Sequence, residues 1–150
     1  MPVVEASIVV PCQIEEVFDF IANAENLPVW DATVIECVQV DSEPLGLGTR
    51  YRGASDIMGR RFDWTTEVIR FERPDATASR SVEGSLTFTV TEELTSVADG
   101  TLLSYRIVAE SGLGGAFGRI LEPIVEKAQA KSVRTNLDKL ADLLRDRAAA

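Results

Sequence analysis

The 150-residue sequence predicts an α+β fold, in which a seven-stranded antiparallel meander is covered on one face by a long C-terminal helix. Three observations lead there. Short β-rich runs with apolar–polar alternation are separated by brief Gly, Pro and Asp turns. An amphipathic helix follows the first strand directly. From about Phe117 to Arg147 the chain is rich in Ala, Leu, Lys, Arg and Glu, all good helix formers. A chain of this length is most simply one domain, residues 1–150, and buries roughly 70% of its unfolded surface without disulfides or metals.

The elements follow in order. Val3 to Val10 alternates, with Val4, Ala6, Ile8 and Val10 on one face and Glu5 and Ser7 on the other, until Pro11 stops the strand. Ile14, Val17, Phe18 and Ile21 then recur at helical spacing, with Glu15, Glu16 and Asp19 where the helix dipole favours negative charge. Asn23 to Asp31 reads as a short turn or second helical piece, broken by Pro28. Strands are expected over Thr33–Val40, Thr49–Ile57, Arg61–Phe71, Thr77–Val82, Ser85–Leu94 and Thr101–Glu110. The turns between them fall at Asp41–Gly48, Met58-Gly59, Arg73–Asp75, Glu83-Gly84 and Ala98–Gly100. Short turns between neighbours imply antiparallel pairing, and the alternation implies that one face is buried and one is wet.

Composition narrows the function classes. The sequence has no histidine, which excludes a Ser-His-Asp triad, a Cys-His pair and every His-ligated metal site. Acid–base chemistry would fall to Asp, Glu, Tyr, Lys or Cys, with pKa values moved by burial. A formal charge of −9 argues against nucleic acid and anionic membranes as partners, since phosphates are held by clustered Lys and Arg. Arg50/Arg52 and Arg60-Arg61 are the local exceptions and read as solvated hairpin charges. No apolar run approaches the roughly 20 residues of a membrane helix, and Met1–Glu5 lacks a signal-peptide start. The expected compartment is the cytoplasm, with Cys12 and Cys37 as reduced thiols, and no metal or cofactor is expected.

The order of these motifs carries a family resemblance. Ile8-Val9-Val10-Pro11, Glu16-Val17-Phe18-Asp19-Phe20-Ile21, Asn26-Leu27-Pro28-Val29-Trp30, Gly48-Thr49-Arg50-Tyr51, Phe71-Glu72-Arg73-Pro74 and Gly100-Thr101-Leu102-Leu103 together resemble the START-like (SRPBCC) superfamily. Within it, the chain is similar to the polyketide cyclase/dehydrase and lipid-transport group. The resemblance implies a helix-grip fold: a seven-stranded curved antiparallel sheet wrapped around the long C-terminal helix, two short helices between strands 1 and 2, and a cavity between sheet and helix. It implies an apolar or amphipathic small-molecule ligand, such as a lipid, polyketide or aromatic metabolite. It also implies an alternative, a cyclase/aromatase or dehydratase that uses a buried Glu, Asp or Tyr as acid and base.

Candidate site residues follow from strand parity. Tyr51, Phe62, Trp64, Phe88 and Tyr105 share one sheet face with Leu86, Val90, Leu103 and Ile107. Trp30 follows the Leu-Pro-Val turn, and Phe117 and Leu121 start the last helix. These eight aromatic and aliphatic residues are the expected ligand-binding wall; the plainer alternative is that they fill a solid core. Inward polar candidates are Tyr51, Ser55, Thr66, Glu92 and Tyr105, joined by Asp31 and Glu67 if parity shifts. Phe117, Leu121, Ile124, Val125 and Ala128 share one face of the last helix. Val133, Leu137, Leu140 and Leu144 share another, rotated by roughly 150°. Two apolar environments are implied: the C-terminal half packs on the sheet, and the N-terminal half also faces a cavity, gate loops or the partner subunit of a homodimer, unless Pro123 kinks the helix or sets its true start. Gly112, Gly114, Gly115 and Gly118 do not make a nucleotide loop, because Phe117 stands where the third glycine of that motif belongs. They read instead as a loop flanking a cavity mouth.

Overall fold

The computed structural model describes the backbone of residues 3–57, 59–84, 86–111 and 115–149, and their side chains except 110–129 and 148–149. The elements are β1 (Val3–Val10), α1 (Ile14–Ala22), a 3-10 turn (Ala24–Asn26), α2 (Leu27–Trp30), β2 (Val34–Gln39), β3 (Arg50–Ile57), β4 (Arg60–Glu72), β5 (Ala76–Gly84), β6 (Thr87–Val97), β7 (Gly100–Ser111) and α3 (Gly115–Ala149). All seven strands form one antiparallel sheet in the order β1-β7-β6-β5-β4-β3-β2. The five strands β3 to β7 are a plain meander, and β1 closes onto β7, so the two helical pieces between β1 and β2 span the two sheet edges. This is the curled half-barrel and helix of the helix-grip architecture expected above.

Turn chemistry sets the strand ends. Gly59 and Gly84 hold φ of 81° and 114°, which a β-carbon would strain. At the β3–β4 hairpin the Asp56 carboxylate accepts a 2.9 Å bond from the Gly59 amide. Gly100 opens β7 at φ 138°, where an added β-carbon would lie 2.1 Å from the Val10 carbonyl oxygen. Only glycine lets β7 pass this close to the end of β1, and Thr101 secures the approach by donating a 2.8 Å bond to the Cys12 carbonyl. The segment is interrupted at Pro28 as expected: the 3-10 turn ends at Asn26, and Pro28 sits in the first turn of α2, where its missing N–H has no partner to lose.

The convex face is wet and charged. Cross-strand pairs Arg50–Glu67, Arg61–Glu36 and Arg106–Glu5 lie there at 3.1, 2.7 and 2.8 Å. Each is largely exposed, so these pairs define the outer face more than they stabilise it. Arg73 reaches across from the β4–β5 turn to Asp19 on α1 with two bonds of 2.7 and 2.9 Å.

The concave face is apolar and grips α3. Val133, Leu137, Leu140, Ala141 and Leu144 are buried with Val4, Val10, Val17, Phe18, Ile21, Trp30, Leu94, Leu103 and Tyr105. Fully burying each large aliphatic side chain contributes about 1.5–3 kcal/mol, so this helix half and the β1–β7–β6 side of the sheet hold each other in place. A second cluster, Cys37, Tyr51, Trp64 and Val68 with Phe71 and Phe88 beside it, occupies the β2–β3–β4 side. The backbone of α3 runs through Pro123. The apolar face predicted for Phe117 to Ala128 lies outside the described side chains.

Candidate functional site

The strand registers lay the inward residues out in rows. One row reads Ala6, Tyr105, Glu92, Thr77 and Phe71 across β1, β7, β6, β5 and β4. The next reads Val4, Ile107, Val90, Ser79 and Val68. Further along, Tyr51 stands opposite Thr66 and Gly53 opposite Trp64. A carboxyl group therefore sits in the middle of an otherwise apolar and hydroxyl-lined concave surface.

Two inward polar atoms are shut off from solvent and make no hydrogen bond: the Tyr51 hydroxyl and Oε2 of Glu92. An orphaned buried group costs about 1–3 kcal/mol, more if charged. Burial raises the Glu92 carboxyl to about 8, so that most of it is protonated at neutral pH. Burial likewise pushes the Tyr51 phenol up to about 12. The Ala24 backbone opposes that rise, but the contact falls short of a hydrogen bond. Tyr105, beside Glu92, is held well above its ordinary value by burial first, then by the charges of Asp31 and Glu92. The concave face thus offers three uncharged O–H groups at neutral pH, and no nucleophile paired with a base stands among the described residues.

Two sets of aromatics flank these groups. Trp30 meets Tyr105 edge to face at 6.4 Å, and Trp64 meets Phe88 at 6.3 Å. The Trp64 indole N–H donates a 2.9 Å bond to Ser55. Its ring lies over Gly53, where a β-carbon would fall 2.4 Å from the indole. Asp31 is not free to act: it accepts bonds from the Thr33 amide (2.9 Å), the Thr33 hydroxyl (2.7 Å) and the Asn136 side chain (3.0 Å). Asn136 in turn accepts from the Ala32 amide at 3.2 Å, which pins the turn after α2 to α3.

The predicted wall residues divide accordingly. Trp30 and Tyr105 belong to the α3-side cluster, and Tyr51 and Trp64, with Phe88, to the second. Phe62 is buried but joins neither; it lies opposite Ser55, under the Arg60 guanidinium. Phe117 and Leu121 fall outside the described side chains. Burial thins along the concave face: Leu94, Leu103 and Tyr105 are buried, while Phe88, Val90 and Ile107 are half-buried. Two participants escaped sequence reasoning. Asn136 is the lone polar residue on the Val133–Leu137–Leu140 stripe, which is its only sequence signal. Cys37, pushed up to about 12 by burial and Glu25, carries none. Among the described residues, no cluster of His, Cys, Asp and Glu is arranged to hold a metal ion, and no helix is long and apolar enough to cross a membrane.

Comparison with known proteins agrees with this architecture. A search of curated proteins finds no match. Among solved structures, TTHA0849 from Thermus thermophilus superposes with a TM-score of 0.84 at 23% identity, over 97% of this chain and 99% of that one. The Zhui aromatase/cyclase from Streptomyces sp. R1128 gives 0.70 at 16% identity, over 97% and 94%. A START superfamily protein from Mycobacterium smegmatis gives 0.65 at 17%, over 90% and 97%. At such identities these structures are alike in fold alone. The sequence model of the family "Polyketide cyclase / dehydrase and lipid transport" matches residues 1–145. The chain therefore belongs to the polyketide cyclase/dehydrase and lipid-transport family of the START-like superfamily.

Proposed function

We propose that this chain binds an apolar or amphipathic small molecule between the concave sheet face and α3. The observation that carries the reading is the pair of buried, unpartnered polar atoms on that face, Tyr51 Oη and Glu92 Oε2. A folded protein leaves such atoms unsatisfied rarely, and a bound ligand that hydrogen-bonds to them removes the cost of each. The aromatic pairs Trp30–Tyr105 and Trp64–Phe88 supply apolar wall, at about 25 cal/mol per Å² buried. The half-buried Phe88, Val90 and Ile107 mark where surface remains to be covered. Of the eight wall residues expected from sequence, Trp30, Tyr51, Trp64, Phe88 and Tyr105 are retained in this proposal. Titrating a panel of lipids, sterols and aromatic polyketides against intrinsic Trp fluorescence and melting temperature tests it. Saturable quenching with a raised melting temperature is expected; no response across the panel overturns it.

A second reading has a specific observation in its favour. A carboxyl at about 8 beside a phenol is poised to exchange protons near neutral pH, as a cyclase or dehydratase acting on a polyketide-like substrate requires. Under this reading Glu92→Gln abolishes turnover of such a substrate while leaving its Kd within about threefold. A Glu92→Gln protein with unchanged turnover removes it.

A further inference from the structure

The charge pattern of the interior narrows the class of ligand, and this step rests on the binding reading above. Across β1, β7, β6 and β5 the described inward positions are apolar, hydroxyl-bearing or acidic; Gln39 on β2 and the exposed Arg60 at the β3–β4 hairpin end are the exceptions. Val4, Ala6, Ile8 and Val10 line β1; Thr101, Leu103, Tyr105 and Ile107 line β7; Val90, Glu92 and Leu94 line β6. Among the described residues no lysine or arginine is buried. Arg50, Arg61, Arg70 and Arg106 lie on the convex face, tied to carboxylates there, and Arg60 is exposed over the Phe62 ring at the hairpin end. On the described part of α3, Lys131, Arg134, Lys139 and Arg145 are all exposed. Against this background the concave surface holds one unpartnered carboxyl oxygen, Glu92 Oε2. Its cross-strand neighbour Tyr105 packs edge to face on Trp30.

We infer that the concave face, at the binding site proposed above, selects ligands whose polar end donates hydrogen bonds and carries no negative charge, a protonated amine best and a hydroxyl next, and that it rejects carboxylates, sulfates and phosphates. An ammonium group finds what it lacks in water-free surroundings: a carboxyl oxygen with nothing else bound to it, next to aromatic rings whose faces attract cations. A hydroxyl gains the same hydrogen bond without charge. An anionic end can accept a bond from the Tyr51 hydroxyl or the protonated Glu92 carboxyl, but it brings a net charge that these groups do not neutralise. It would have to shed its hydration with no buried cation among the described residues to offset its charge, which electrostatics in a low-dielectric site penalises heavily.

The test is a head-group series on constant apolar bodies: 2-naphthylmethylamine, 2-naphthylmethanol and 2-naphthoate, with decylamine, decanol and decanoate beside them. Affinities are read at pH 7.5 by displacement of Nile red and by calorimetry on the full chain. The amine and the alcohol are expected to bind about tenfold or more tightly than the matching carboxylate. In Glu92→Gln the amine is expected to lose about tenfold while the alcohol stays within about threefold. A carboxylate that binds as tightly as its alcohol in the wild-type protein overturns the inference, and this comparison needs no variant. An amine unaffected by Glu92→Gln also overturns it, because the carboxyl would then not be the recognising group. If neither Nile red nor any member of either series binds, the binding reading fails and takes this inference with it; preference for the carboxylate sinks the inference alone.

Discussion

Replacing Glu92 by Gln keeps the side chain's shape and removes one titration, so its effect on stability can be worked out in advance. In the unfolded chain the carboxyl ionises near 4.5, and in the folded protein near 8. Between those values the folded state holds a proton that the unfolded state has released. Stability must then fall as pH rises through this window, and flatten above it. At about 1.4 kcal/mol per pH unit, the full window corresponds to roughly 5 kcal/mol. This is a ceiling, since a charged buried carboxylate draws in water and recovers part of the cost. Glu92→Gln lacks the titration, so the two proteins should be close in stability at pH 5 and diverge by several kcal/mol at pH 9, the variant being the more stable. For a chain of this size, each kcal/mol moves the melting temperature by about 2–4 °C, which puts the gap at pH 9 near 10 °C. Paired thermal melts at half-unit steps from pH 5 to 9 measure the difference directly and cancel every other titrating group. A difference that stays constant across this range would refute the reasoning, because it would mean that the carboxyl is solvated and ionised in the folded protein.

Other perturbations have definite outcomes. Tyr51→Phe deletes the second unpartnered polar atom, so denaturant melts of the ligand-free protein should show it unchanged or about 1 kcal/mol more stable, whereas a bound ligand that uses the hydroxyl should weaken. Leu140→Ala, at a fully buried position of α3, should cost about 2–5 kcal/mol by urea denaturation. Gly100→Ala places a β-carbon 2.1 Å from the Val10 carbonyl at a φ that alanine avoids, and should lower the melting temperature sharply or prevent folding; circular dichroism suffices to see it. Cys37, with its thiol pushed up to about 12, should resist alkylation at pH 8.5 in the folded protein and react readily in urea.

The fold was legible because several local signals agreed. Strand alternation, glycine turns and the Val17–Phe18–Ile21 stripe each point to one topology, and strand parity placed Tyr51, Trp64 and Tyr105 on the inner face. Strand ends moved by one to three residues, since pairing with a neighbour extends a strand beyond its own pattern; β6 continues past Leu94 to Val97 because Gly100 turns the chain back onto it. The site was less legible. Parity shows that Glu92 faces inward, but whether a partner waits for it depends on residues brought from β5, β7 and α3, and those positions emerge only with the registers. Asn136 holds Asp31 from 105 positions away in the chain. Phe62 had the right parity, yet it lies at the hairpin end, apart from both clusters.

The most direct measurement of the central claim is the 13C resonance of the Glu92 side-chain carboxyl, assigned by comparison with Glu92→Gln, during titration with 2-naphthylmethylamine and 2-naphthylmethanol. The account predicts a saturable change at this carbon, with the same Kd as the accompanying change in Trp fluorescence. Saturable binding seen by fluorescence with no movement of the Glu92 carbon would place the ligand elsewhere and contradict the account.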